Sequence, residues 1–302
     1  MGKRIFTDTT EFFNIERGDI IQVGEKHYEV VGYAREQLFG LEDPKFWVKR
    51  VIESETGKKK LIKLAFFESF ESSLGGIKIR YFRDPDKEAK ILELVKDDPN
   101  FMHGKSYSDS NGNNVRILDL VSGPNFSVYI NSIHKNHETY FHKDLPDVLR
   151  NLVKAFEAIR FLHVHGFKHG DIRKEHILVQ RDIDNYIWID FDYDFEAGEN
   201  PFIVDLFELG NILLLAIGKG FHDLPMIEHN TSTYGDLIDR LRPEDFSLLK
   251  KWRFINLRKL FPYVPKMLND ILMHFSIASE VCYESVEEII EDLNRCLHSV
   301  FE

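Results

Sequence analysis

The chain has 302 residues, 43% hydrophobic, 13% aromatic and 29% charged, with a formal net charge of −11. That length is enough for one large core or two lobes. The acidic balance argues against a nucleic-acid binder or a protein docked on an anionic membrane, both of which need a positive footprint. Only Cys282 and Cys296 occur, too few for a disulfide framework, so a reducing compartment is expected. MGKRIFTDTTEFF carries no apolar run of the signal-peptide kind, and Phe6 stands where a myristoylation motif wants Ser or Thr. No apolar run approaches a membrane span. The expectation is a cytoplasmic protein with no membrane and no nucleic-acid partner.

The first part of the chain reads as strands. Ile20–Val23, Tyr28–Tyr33, Phe46–Ile52 and Leu61–Phe66 are rich in β-branched and aromatic residues, with turn-like residues between them. Glu55-Thr56-Gly57-Lys58 reads as a hairpin turn. A helix is predicted from about Asp86 to Val95, after Pro85 and before Asp97-Asp98-Pro99. Strands near Phe101–Tyr107 and Val115–Leu120 flank the polar turn Ser110–Asn113. Segment Glu68–Arg83, with Lys78, Arg80 and Arg83 after Gly75-Gly76, reads as a solvated loop, with recognition of an acidic acceptor as the alternative.

From Leu145 the period changes. Leu145, Val148, Leu149, Leu152, Phe156, Ile159 and Leu162 mark one buried helix face. Two short strands follow, Ile177–Gln180 and Tyr186–Asp190, joined through an Asp182–Asn185 turn. The very apolar stretch Phe202–Ile217 predicts a central helix. The last helix places Val286, Ile289, Ile290, Leu293, Leu297 and Val300 inward, with Ser285 and Glu288 as a capping box. The pattern predicts an α+β fold of two lobes, residues 1–121 rich in strands and residues 122–302 mostly helical, with 122–144 as hinge and connection.

The most informative stretch is His169-Gly170-Asp171-Ile172-Arg173-Lys174-Glu175-His176-Ile177-Leu178, followed by Trp188-Ile189-Asp190-Phe191-Asp192. It resembles the protein-kinase catalytic loop and metal-binding DFG motif, in the HGD form of aminoglycoside- and choline-kinase-like enzymes. The resemblance implies that Asp171 accepts a proton from, or orients, an acceptor hydroxyl. Asp190 would hold Mg²⁺ against the ATP phosphates. Lys60-Leu61-Ile62-Lys63 resembles the VAIK strand, making Lys63 the phosphate-pairing lysine and Glu88 its helix partner. Ile117–Gly123 resembles the hinge, where backbone near Asp119 and Val121 reads adenine; Leu61 and Leu178 complete the implied nucleotide contacts. Asp205-Leu206-Phe207-Glu208-Leu209-Gly210 resembles the DxWSLG helix start, whose aspartate braces the catalytic loop. Leu92, His169 and Phe191 match the internal hydrophobic spine.

Taken singly, these residues have plainer readings. Lys63 follows Lys58, Lys59 and Lys60 and reads as an exposed strand lysine. Glu88 reads as a solvated helix residue, and Asp205 as a simple N-cap. His163, His165 and His169 follow the LHxxGxxHGD spacing rather than that of a zinc site. The order of the motifs along the chain is what favours the kinase-like reading.

The departures are as informative. No GxGxxG follows Gly32; the chain reads Tyr33-Ala34-Arg35-Glu36-Gln37-Leu38-Phe39-Gly40. Either Arg35 contacts the phosphates by charge or they are loosely covered. Leu61 replaces the VAIK alanine and crowds the adenine side. His176 replaces the asparagine that ligates a second metal, so one metal suffices, Mn²⁺ is used, or His176 only orients Asp171. Asp192 replaces the DFG glycine, as a second metal carboxylate or as a turn residue. Only residues 191–204 separate Asp190 from Asp205, and no APE motif appears. Cys282 stands where the arginine partner of that motif's glutamate belongs, so both halves of one buried ion pair are absent together.

The resemblance implies an ATP-dependent phosphotransferase using Mg²⁺ or Mn²⁺, with Asp171, Arg173 and His176 at the reacting group. The metal set would draw on Asp190, His176 and Asp192. A protein Ser or Thr acceptor is favoured by the helix start at Asp205 and the C-terminal tail. A small hydroxylic molecule is favoured by HGD and the short 191–204 segment. A catalytically weak scaffold is the rival class, supported by Leu61, the missing glycines and His176. A nucleotidyl-transferring relative is a third.

Overall fold

The computed structural model describes residues 3–38, 41–74, 76–180, 182 and 185–301. The chain divides into two compact units, Met1–Ser69 with Phe82–Val121 and Phe70–Tyr81 with Ser122–Glu302. The sequence divided the chain into two contiguous lobes at 121/122; Phe70–Tyr81 instead groups with the second unit. The fold is α+β, with strands concentrated in the first unit and helices in the second.

In chain order the elements begin with β1 (Ile5–Phe6), β2 (Ile20–Val23), β3 (Lys26–Leu38), β4 (Leu41–Glu53) and β5 (Lys59–Lys63). Then come β6 (Ser69–Leu74), β7 (Ile77–Arg83), α1 (Pro85–Leu94), β8 (Gly104–Ser108) and β9 (Asn114–Asp119). The first unit is one seven-stranded sheet in the order β1-β2-β3-β4-β5-β9-β8, antiparallel except for the β1–β2 pair. Its core gathers Ile21, Val30, Val51, Ile62, Leu64 and Val115 on one face. That follows from the period-2 alternation of those strands. The Glu55–Lys58 turn forms as read, with the Glu53 N–H on Lys58 O at 2.9 Å and Gly57 at φ 69°. Where a glycine-rich loop was sought, β3 and β4 stay paired to Leu38 and Leu41; Phe39 and Gly40 lie outside the described residues.

The second unit contains α2 (Phe126–Asn131), α3 (His137–Lys143), α4 (Leu145–Val164), β10 (Ile177–Gln180), β11 (Asn185–Trp188), β12 (Tyr193–Glu196) and α5 (Ile203–Gly218). It ends in α6 (Lys266–Met273) and α7 (Val286–Val300). The α4 face read from the sequence is buried as a set. Nearly every α5 side chain is buried, and Gly210 lets the Phe275 ring lie where a Cβ would fall 2.6 Å from it. At α7, Ser285 caps the Glu288 N–H, but the Glu288 carboxylate turns to the Glu284 N–H at 2.8 Å rather than closing the expected box. Between β10 and β11, residues 183 and 184 of the expected turn lie outside the described residues, as does residue 181 before it.

Segment 68–83 is not a solvated loop. β6 and β7 form a hairpin that extends β12 into a three-stranded sheet, in the order β12-β7-β6. The alternation of Ile77, Ile79 and Tyr81 with Lys78, Arg80 and Phe82 is a strand period that the two glycines obscured. Gly75 lies outside the described residues.

Candidate active site

In the first unit, β5 runs between β4 and β9, so the residues at its end are covered on both sides. Lys63 is 3% exposed and Glu88, on α1, is 0% exposed. Neither fits its solvated reading. Lys63 Nζ donates to Glu88 Oε1 at 2.8 Å. The glutamate is aimed by how α1 begins. Asp84 caps the helix by accepting the Asp86 and Lys87 N–H groups, and Pro85 fills the first turn.

A third member went unread in the sequence. Arg116 on β9 pairs in register with Lys63 on β5, so both side chains leave the same face of the sheet. Its Nη1 donates to Glu88 Oε2 at 2.8 Å and its Nη2 to Leu64 O at 2.7 Å. The signal was a lone arginine within the apolar run Val115–Leu118, a charge that burial obliges to find a partner.

Leu61 lies half-buried two residues before Lys63, as the strand period requires. The Asp119 side chain is exposed and accepts from Lys60, while its backbone N–H is committed to His103 O at 2.8 Å. Val121 is half-buried at the end of this unit, and Leu92 is buried on α1.

In the second unit the β10–β11 hairpin sets the register. Ile177 pairs with Trp188, and the Ile189 N–H donates to His176 O at 3.0 Å. The hairpin is pinned to α4 by the Trp188 indole N–H on Ala155 O at 2.8 Å. Gly123, at φ 132°, runs so close to Val179 O that a Cβ would fall 2.2 Å from it. Only glycine fits there. The contact places Asn125 in a bridge with the half-buried Leu178.

Asp171 and Asp190 thereby stand on two sides of the buried His176 ring. His176 Nδ1 lies 2.8 Å from Asp171 O and 3.4 Å from Asp171 Oδ2; its Nε2 lies 3.4 Å from Asp190 Oδ2. Arg173 donates its Nε–H to His176 Nε2 at 3.1 Å and holds the same nitrogen 3.9 Å from Asp171 Oδ1. These partners define a neutral ring that donates from Nδ1 and accepts at Nε2. Both ring nitrogens thus have partners within the loop, Asp171 O for Nδ1 and Arg173 Nε–H for Nε2. Asp190 has φ 64°, an uncommon left-handed conformation for a non-glycine residue. Such backbone strain persists where the surrounding structure holds it.

Asp192 is only 2% exposed. Among the described residues no three His, Cys, Asp or Glu side chains gather as a group that could hold a metal. Phe191 is fully buried with its ring edge toward His169, 6.0 Å between centroids.

Asp205 is not the N-cap of α5, which is Phe202. Its carboxylate accepts the His169 N–H at 2.8 Å, the Gly170 N–H at 3.0 Å and His163 Nε2 at 3.0 Å. Burial works against the charged carboxylate, but the His163 hydrogen bond, the nearby His163 and His169 rings and the Gly170 amide outweigh it and hold the carboxyl below its usual range. Gly170 needs φ 87° to present its amide, a conformation that favours glycine. His165 turns instead to Phe161 O, so the three histidines share no metal position.

No protein-family model matches the chain, and no curated protein matches it. Among solved structures, the kinase PK-1 of the Cydia pomonella granulovirus aligns with a TM-score of 0.53 at 14% identity, covering 88% of this chain and 93% of that one. At that identity the likeness speaks for the fold: the chain has a protein-kinase-like α+β fold.

Proposed function

We propose that this chain is an ATP-dependent phosphotransferase that moves the γ-phosphoryl group to a hydroxyl. The observation that carries the reading is the pair Asp171 and Asp190, held on two sides of one buried imidazole whose partners fix its tautomer. In this reading Asp171, about a quarter exposed, orients a hydroxyl and takes its proton. Arg173 brings a permanent positive charge to the same loop. Lys63, fixed by Glu88, is the phosphate contact.

The donor set fits a hard cation in one respect. Asp190 offers carboxylate oxygen at the surface of the unit, and Mg²⁺ accepts one or two protein carboxylates with phosphate and water completing its shell. When bound, the ion supplies charge neutralisation on the phosphates.

The acceptor reading follows the fold: a protein serine or threonine, supported by a neighbour that is itself a kinase. A second reading, a small hydroxylic molecule, has its own observation. The segment following Asp190 is short, and its strand β12 is already paired with β7, leaving less edge for an extended peptide.

Thermal unfolding with ATP, with and without Mg²⁺ or Mn²⁺, tests the proposal on wild type and Asp190→Ala. Ligand at about a hundred times its Kd adds roughly 2.7 kcal/mol, several degrees in a chain of this size. A metal-dependent shift lost in Asp190→Ala supports the site and leads to an acceptor screen with Asp171→Asn as control. No shift with any nucleotide sinks the reading in favour of a scaffold.

A further inference from the structure

Just past the end of α5, His222-Asp223 pairs antiparallel with Arg253-Phe254, which sets Asp223 directly opposite Arg253. His222 Nε2 donates to Gly218 O at 3.0 Å, and the Arg253 N–H donates to Lys250 O at 2.8 Å. Phe221, immediately before this pair, has two cations on its ring. The Arg253 guanidinium carbon lies 3.5 Å from the ring centroid and Lys174 Nζ lies 5.6 Å from it. Lys174 belongs to the loop of Asp171, and its carbonyl accepts the Phe126 N–H at 3.2 Å. Three residues of chain separate it from Asp171, so their Cα atoms lie within about 11 Å of each other. All of these residues are in the second unit.

Arg253 is only 7% exposed. A guanidinium taken out of water needs partners for its five N–H donors. Its Nε donates to Asp223 Oδ1 at 3.1 Å; among the described residues the Nη donors have no hydrogen-bond partner. Lys250, half-buried three residues earlier, makes no hydrogen bond or ion pair through its ammonium among the described residues. Burial lowers that ammonium first and the Arg253 charge next, against the pull of Glu208 and Asp223, with Lys174 lowering it further. The three cations have two carboxylates within ion-pair distance, Asp223 on Arg253 and Glu175 at 3.6 Å from Lys174. An oxyanion would satisfy the Nη donors and relieve the repulsion that Lys250 meets. The guanidinium fork suits carboxylate and phosphate alike, but three cations around one ring favour the dianion.

We propose that Arg253, Lys250 and Lys174 form a subsite for a phosphate monoester, and that the acceptor of the Asp171 site already carries such a phosphate. This deepens the phosphotransferase reading and rests on it. The subsite holds the acceptor's existing phosphate beside the catalytic loop, which leaves its hydroxyl to be oriented by Asp171. A phosphopeptide and a small phosphate ester present the same group to these cations.

The first arm of the test titrates inorganic phosphate into the full chain by calorimetry at constant ionic strength, on wild type, Lys250→Gln, Arg253→Gln and Asp190→Ala. Lys250→Gln strands no partner, so it keeps the fold even if Arg253→Gln does not. The expected result is one phosphate per chain, bound at least about tenfold more weakly by Lys250→Gln and Arg253→Gln. Asp190→Ala should bind it as wild type does. The second arm measures kcat/KM with Mg²⁺–ATP for serine and threonine peptides with and without a neighbouring phosphoserine, and for sugar and glycerol phosphates beside their unphosphorylated parents. Wild type should prefer a phosphorylated form, whose class names the source, and Lys250→Gln should lose that preference. Phosphate that fails to bind, or binds Lys250→Gln as it binds wild type, overturns the proposal. So does turnover only of unphosphorylated acceptors, or of none. An ATP-dependent thermal shift in those cases leaves the phosphotransferase reading intact, whereas absence of the shift removes both.

Discussion

Lys63 and Arg116 stand directly opposite each other on β5 and β9, two buried cations reaching the same carboxylate. Like charges so placed repel unless an anion lies between them, and Glu88 is that anion. Glu88→Gln should therefore cost about 3–5 kcal/mol, because it leaves buried charge uncompensated. The triple replacement Lys63→Met, Glu88→Leu, Arg116→Leu should cost far less, since no charge is stranded. Urea unfolding of both variants checks this; a Glu88→Gln loss below about 1 kcal/mol would contradict the buried triad.

His176 gives a second expectation. Because Arg173 already donates to its Nε2, His176→Ala should leave the Mg²⁺-to-Mn²⁺ preference of ATP binding as it is in wild type. Turnover should fall by about 10- to 100-fold as Arg173 and Asp171 lose their common support. Metal titrations of the nucleotide-induced thermal shift separate the two effects. A swing in metal preference would restore His176 as a ligand.

Asp205 should matter to stability and to loop order together. Asp205→Asn keeps the shape but removes the charge that His163 and two amides surround; a loss of about 2–4 kcal/mol is expected. Hydrogen exchange at the His169 and Gly170 amides should speed up. Since the folded carboxyl is held low, its stabilisation is present above the unfolded carboxylate range and is lost as pH falls through the folded value. The variant should show a shallower acid limb below about pH 4.

A different pair of groups governs the range above that. Burial pushes His137 down to about 4, and His222 is lowered by burial too. His137 stacks on Phe261 at 3.5 Å, with its ring nitrogens 2.7 Å from Tyr263 Oη and 2.8 Å from Ile217 O. Between about pH 6.5 and 4 the unfolded chain binds the His137 proton and the folded one does not, and His222 acts in the same direction, so stability should fall as pH drops through that window. The His137 share is on the order of 2–3 kcal/mol. Midpoints measured from pH 8 to 4 on wild type and His137→Gln check the sign; a flat wild-type profile rules it out.

The legible parts of the fold were those with an unbroken local period. Ile20–Val23 and Ile177–Gln180 have the same bounds in sequence and structure, and the α4 and α7 faces follow from their spacing. The order His169-Gly170-Asp171 before Asp190 was enough to point to the fold. The misses needed information that no short window carries. Arg116 meets Glu88 through strand register, and the Arg173 hydrogen bond to His176 depends on how the loop folds back on itself. The β6–β7 strands are stabilised by β12, which lies far along the chain, so a glycine-broken polar segment looked like a loop.

The same hairpin has a consequence for how the protein is made. A ribosome delivers Ser69–Arg83 well before Tyr193–Glu196, the strand it must meet. At about 5–20 residues per second the delay is on the order of ten seconds. Through that interval the hairpin is an exposed edge in a nascent chain, the kind of surface that recruits the wrong partner. Lys78 and Arg80 alternate along it as exposed charges that discourage such pairing until its own strand emerges.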